Sequence, residues 1–193
     1  MIRLRAFLAD RRAGGAAEFA LVLPLLLIFL FAIIDVARLM WTYNLAEKAS
    51  QAGVRFAVVT DVIPTELNDD FALTYGLVGG DPVPTSTFAS TTCTGGACTG
   101  NWGYDGTAFN AVVTRMRNIY DPIAASNVSI RYENVGLGFA GDPNGPDVAA
   151  LVTVELQNLT FQPIVLIVFD TSLTLPTIRA SLTMEDGSGT ESN

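Results

Sequence analysis

Histidine is missing from all 193 residues, and its absence closes several chemistries at once. A Ser-His-Asp arrangement, a Cys-His pair and every histidine metal site are excluded. Cysteine is nearly missing as well: Cys93 and Cys98 are the two present, too few for tetrahedral zinc without histidine. Set around Thr-Gly-Gly-Ala, they fit a small disulfide loop in an oxidising compartment, with free thiols as the other state of the pair. Closing so short a loop stabilises by roughly 2 kcal/mol in the chain-entropy picture. Charged residues make up only 16% of the chain, and basic ones are the scarcer: from Ala13 onward there are seven, against eighteen acidic. That leaves no basic stripe to displace counterions from phosphates, so nucleic-acid binding is set aside. Carboxylate-pair catalysis is open by composition, but no pair stands out. The chain is read as a non-enzyme with no cofactor and no metal. Asp142, Asn144 and Asp147 miss the Asp-x-Asp-x-Asp-Gly spacing and lack a downstream bidentate glutamate, so turn chemistry is the better reading than calcium.

What is abundant is apolar sequence, half of the chain, concentrated at the N-terminus. Residues 19–34 carry no charge. Extended past Asp35 to Met40, the run reaches the roughly 20 residues that span a hydrocarbon core. Asp35 and Arg38 stand three apart, where a helix lets them pair. Trp41 and Tyr43 follow, which is where amphipathic rings sit at a membrane–water boundary. Pro24 opposes an unbroken helix but is tolerated better in membranes than in water. Beyond Val36 the helical period continues, with Val36, Met40, Tyr43, Ala46, Gly53, Phe56 and Val59 on one face. Arg3, Arg5, Arg11 and Arg12 precede the run against a single acid, Asp10, which places the N-terminal tail on the cytoplasmic side and the acidic body outside. A cleavable secretory signal is the competing reading. The run is longer than the usual 7–15 residues and is followed by more helix without a small-x-small cleavage site.

The remaining 130 or so residues suffice for one small core. Residues 60–106 are rich in Gly, Pro, Ser and Thr, with a possible short element at 71–78. Trp102 and Tyr104 within this region are read as folding back onto the core rather than as a recognition patch. Residues 107–120 predict a second helix, capped by Asp105 or Thr107 and ended by Asp121-Pro122. Alternation predicts strands at 127–133 and 148–157, and two short pieces either side of Pro176. The run 161–169 is apolar but too short to span a bilayer; it reads as a buried segment, or else as a partner-facing patch. The expected fold is therefore α+β. A long N-terminal transmembrane and amphipathic helix packs on a small antiparallel sheet of three or four strands, with one additional helix, in a pilin-like arrangement. Expected boundaries are a basic cytoplasmic leader 1–13, the long helix 14–59, an extracytoplasmic domain 60–186 and a disordered tail 187–193. Tyr43, Phe56 and Val59 are expected to meet Val152 and Val154.

The segment GGAAEFALVLPLLLIFLFAIIDVARLMWTYNLAEKASQAGVRFAVV resembles the TadE-like family of tight-adherence (Flp) pilus assembly proteins, small pseudopilins related to type IV pilins. The resemblance lies in the small residues before Glu-Phe, Ala-Leu-Val-Leu-Pro, the leucine-rich run, the acid and Arg before aromatics, and Gly-x-Arg. The C-terminal VTVELQ, FQPIV and LTLPTIRASLTMED are similar to the family's end. The likeness implies an inner-membrane assembly subunit, single-pass, with its C-terminal domain in the periplasm. Its implied partners are the membrane, other pilus subunits and assembly proteins, and a prepilin peptidase. It also implies a leader-processing region at Ala13, Gly14, Gly15, Glu18 and Phe19. In the family the cut follows a glycine and leaves the glutamate fifth. Here a fifth-place Glu18 requires the cut after Ala13, whereas cutting after Gly14 makes it fourth. Glu18 at the bilayer edge is a candidate for setting register with a neighbour's N-terminal ammonium, the simpler role being to complement the helix dipole. The alternative function is a signal-anchored envelope protein whose acidic domain binds a ligand or surface.

Overall fold

The computed structural model describes residues 14–100, 102–142, 146–166, 170–185 and 187. The basic leader, Ala13, Asn144 and the tail beyond Gly187 lie outside the described residues. The chain divides into two compact units. One falls within Met1–Trp41 and Phe161–Leu173, the other within Thr42–Thr160 and Thr174–Asn193.

The first helix, α1, runs Gly14–Ala57 and continues through Pro24. At 1.5 Å per residue its 44 residues reach about 66 Å. In the first unit this helix exposes nearly everything it has. Leu21, Phe29 and Ile34 are 81%, 62% and 46% exposed, although the same residue types normally fill cores. The other part of this unit is an excursion between two short strands, β5 (Thr160–Phe161) and β6 (Leu173–Thr174), which pair as a two-stranded ribbon.

In the second unit five antiparallel strands form one sheet. β1 (Ser90–Thr94), β2 (Ala97–Cys98), β3 (Val128–Glu133), β4 (Leu151–Leu156) and β7 (Ile178–Thr183) lie in the order β2-β1-β3-β4-β7. The register puts Cys93 opposite Ile130, Ile130 opposite Val154, Tyr132 opposite Val152 and Leu156 opposite Ile178. All of these side chains are buried, so one face of the sheet is core. The other face is polar. Arg179 stands directly opposite Glu155 with a 2.9 Å ion pair, and Thr153 and Ser181 share a 2.8 Å hydrogen bond. This alternation is what a sheet wetted on one side requires.

The apolar face is covered by the outer half of α1 and by α3 (Gly106–Arg117), whose first N–H groups are capped by Asp105 Oδ1. The face of α1 that does this coincides with the expected one at Ala46 and Gly53 and departs from it elsewhere. Ala46, Ala49, Ser50, Gly53, Val54 and Ala57 are buried, while Tyr43, Phe56 and Val59 are only half-buried. Ser50 Oγ donates to the Val154 carbonyl at 3.1 Å, and a Cβ on Gly53 would come 2.7 Å from Met116 Cγ. Small residues let the helix backbone come close to sheet and helix alike, so volume, more than hydrophobicity, selects the buried face.

The loop-rich stretch is better ordered than its composition implies. α2 (Phe71–Tyr75) is capped by Asp70. The pair β1–β2 is an additional hairpin there, closed by a Cys93–Cys98 disulfide, and it raises the strand count of the sheet from the expected three or four to five. Two buried side chains tie the loops down. Asn134 Nδ2 donates to the Val83 and Phe88 carbonyls, and the Asp147 carboxylate accepts from the N–H groups of Phe71 and Asp142 at 2.6 and 3.0 Å. Trp102 packs edge-on against Phe88 and Tyr104 against Phe109.

Tyr132 is fully buried, and its hydroxyl accepts a 3.4 Å hydrogen bond from the Ile63 N–H. Burial pushes the phenol well above its ordinary value, only partly opposed by that hydrogen bond. A folded-state value above the unfolded one means that its contribution is intact below about pH 10 and is lost as pH rises beyond it. We therefore expect the urea midpoint to fall above that pH, and to fall less steeply in Tyr132→Phe, which cannot ionise.

Candidate functional site

The residues singled out at the N-terminus separate. Gly15, Glu18 and Phe19 are exposed on α1, and Glu18 makes no hydrogen bond or ion pair among the described residues. Trp41 is 68% exposed. The uncharged surface from Phe19 upward belongs to a helix long and apolar enough to cross a membrane.

Asp35 forms a site of its own, one that sequence reasoning found only by half. Its pairing with Arg38 is present, Nη1 to Oδ1 at 2.9 Å. Asp35 is nonetheless only 7% exposed, because the turn at 163–166 folds over it. The N–H groups of Ile164 and Val165 donate to Oδ1 and Oδ2 at 2.8 and 2.9 Å. Leu166 N–H donates to the Pro163 carbonyl, closing a turn at 163–166. The Arg38 guanidinium lies 5.2 Å from the centroid of the Phe161 ring, a cation–π distance. Three donors on one carboxylate make a strong, directional anchor. No sequence signal points to it, since the donors are backbone groups about 130 residues away.

The apolar run 161–169 is thus neither simply buried nor simply a patch. Phe161 and Pro163 are buried, Val165 and Leu166 half-buried, Gln162 and Ile164 exposed; residues 167–169 lie outside the described residues.

A second feature is a pocket of about 410 Å³ lined by Lys48, Gln51, Ala52, Arg55, Phe56, Val59 and Arg115. Seven basic residues follow Ala13. Arg38, Arg117, Arg131 and Arg179 are ion-paired, with Asp35, Asp121, Glu133 and Glu155 respectively. The other three all line this pocket and have no ion pair among the described residues. Among those residues no three of Cys, Asp or Glu come together in a metal-binding group.

Compared with known proteins, residues 14–55 match the family described as TadE-like protein, a stretch of less than a quarter of the chain. No curated protein and no solved structure matches the chain. The matched stretch takes in the exposed apolar surface, the Asp35–Arg38 pair and the face that docks on the sheet, and stops at Arg55 in the pocket. Over residues 14–55, α1 is similar to the TadE-like family.

Proposed function

We propose that the chain is an assembly subunit of a tight-adherence pilus, a minor pseudopilin. α1 holds it in the bacterial inner membrane, with the N-terminus cytoplasmic and the domain that follows in the periplasm. The observation that carries this reading is the TadE-like match on a helix whose apolar surface from Phe19 to Ile34 is largely exposed among the described residues. Such a surface fits lipid or a bundle of like helices.

Glu18 is the residue proposed to set register in that bundle. Exposed on α1 beside the uncharged apolar run, its carboxylate can pair with a neighbour's N-terminal ammonium in a poorly solvated environment. Glu18→Ala is expected to insert in the membrane at wild-type levels and to abolish pilus assembly. Normal piliation in that variant would remove Glu18 from the mechanism.

The cationic pocket favours a protein contact made by the domain. Three cations without an ion pair among the described residues repel one another, and an acidic partner segment relieves that repulsion while Phe56 and Val59 take an apolar side chain. Such a contact serves a pilus neighbour, or an envelope partner in the alternative reading of the chain as a signal-anchored binding protein. The double substitution Arg55→Glu and Arg115→Glu is expected to leave the melting temperature unchanged or raised. It should abolish salt-sensitive crosslinking between the purified chain and its partner subunits. Unchanged crosslinking would contradict the contact.

A further inference from the structure

We propose that the turn at 163–166 enters the outer leaflet of the bilayer beside α1, latched there by Asp35. This rests on the reading of α1 as the membrane span.

Depth is the first argument. With the span taken from Phe19 to Met40, Asp35 lies about 24 Å along the helix from Phe19 and about 9 Å short of Trp41. A hydrocarbon core of about 30 Å places this carboxylate inside the apolar layer, together with any backbone that bonds to it. The turn at 163–166 does so through two N–H groups.

The second argument is that each partner supplies what the other needs in lipid. A carboxylate within the span is costly unless neutralised and hydrogen-bonded, and Arg38 with two amides does both. A non-helical turn at that depth is tolerated only where its polar backbone groups are satisfied within the protein. Asp35 takes the Ile164 and Val165 donors, and the Pro163 carbonyl takes the Leu166 donor. In water those amides would need no such partner.

The surface left over is the third. Ile164 is 38% exposed, and no charged residue occurs from 161 to 169, the exposed Asp170 standing beyond the turn. That surface belongs to the same compact unit as the exposed apolar stretch of α1, so acyl chains are its occupant. The segment is too short to cross the membrane, but as a turn fixed to a spanning helix it does not have to.

The test uses the full chain in liposomes, with an environment-sensitive NBD fluorophore on Ile164→Cys, Ile28→Cys or Leu73→Cys, the native cysteines remaining bonded to each other. Ile28 reports the span, and Leu73, 83% exposed, reports water. The proposal expects blue-shifted emission at 164, quenched by nitroxides on the acyl chains and not by aqueous iodide, as at 28. Asp35→Ala should move the 164 probe toward the behaviour of the one at 73 while leaving 28 unchanged. Iodide quenching at 164 with lipid quenching at 28 overturns the proposal alone; iodide quenching at both overturns the membrane span as well. A 164 probe shielded from both quenchers means that a protein surface covers the turn, which also overturns it. If lipid quenching at 164 survives Asp35→Ala, the carboxylate is not the latch.

Discussion

Ser50→Leu is expected to destabilise the domain by about 2–4 kcal/mol, the sum of a lost hydrogen bond and an overpacked contact. Ser50 is fully buried, and its hydroxyl donates to the carbonyl of Val154, on a strand flanked on both sides. Leucine removes the donor and inserts a branched side chain where the helix face is otherwise Ala46, Ala49 and Gly53. Against a typical total of about 5–15 kcal/mol, that is a large fraction. Urea unfolding of the detergent-solubilised chain, followed by near-ultraviolet circular dichroism, gives the number. Gln51→Leu, one residue along on the exposed side, is the control and should stay within about 0.5 kcal/mol of wild type. If the two variants match, the outer half of α1 is not docked on the sheet.

Gly138→Ala has a comparable expected effect for a different reason. Gly138 has φ +92°, and a Cβ there would come 2.5 Å from the Asp147 carbonyl oxygen and 2.9 Å from the Ala149 nitrogen. Both atoms are backbone, so no rotamer change relieves the clash. Moving them breaks the 3.1 Å hydrogen bond from Ala149 N–H to the Leu137 carbonyl and displaces Asp147, which holds the Phe71 and Asp142 amides. Backbone strain of about 1–3 kcal/mol then adds to the loss of buried hydrogen bonds, for a total of about 3 kcal/mol or more. Gly136 separates the two contributions: its φ is +79° but nothing lies within 4 Å of the added carbon, so Gly136→Ala should show the conformational part alone, about 1–2 kcal/mol. Equal losses at 136 and 138 would show that the close approach to Asp147 does not matter.

These two sites also mark where the sequence was hard to read. The segments that were legible carry strong periodic signals: the apolar run of α1, the capped amphipathic α3, and the alternating β3 and β4. The buried face of α1 was legible at Ala46 and Gly53 but not at Ala49, Ser50 or Val54, because Phe56 and Val59 look more hydrophobic than Ala49 or Ser50, yet small volume decides how close two backbones come. The hairpin β1–β2 lies in Ser-Thr-Thr-Cys-Thr, where threonine's β-branching is a strand signal that the surrounding Gly and Pro obscured. Asp35 was legible as a partner of Arg38 because that pair is local. Its two backbone donors come from the far end of the sequence, and an N–H leaves no trace in residue identity. Asp147 is a third case: its residue type and neighbourhood fit turn chemistry, but the Phe71 amide it holds is 76 positions away.

The most direct test of the membrane-anchored pilus subunit is a count of surface pili by electron microscopy on the parent bacterium with and without this chain. The deletion strain should lack pili. The full chain should restore them, whereas a version whose residues 1–40 are replaced by a cleavable signal peptide, delivering the rest unanchored to the periplasm, should not. Normal piliation of the deletion strain, or full rescue by the unanchored version, would contradict the account.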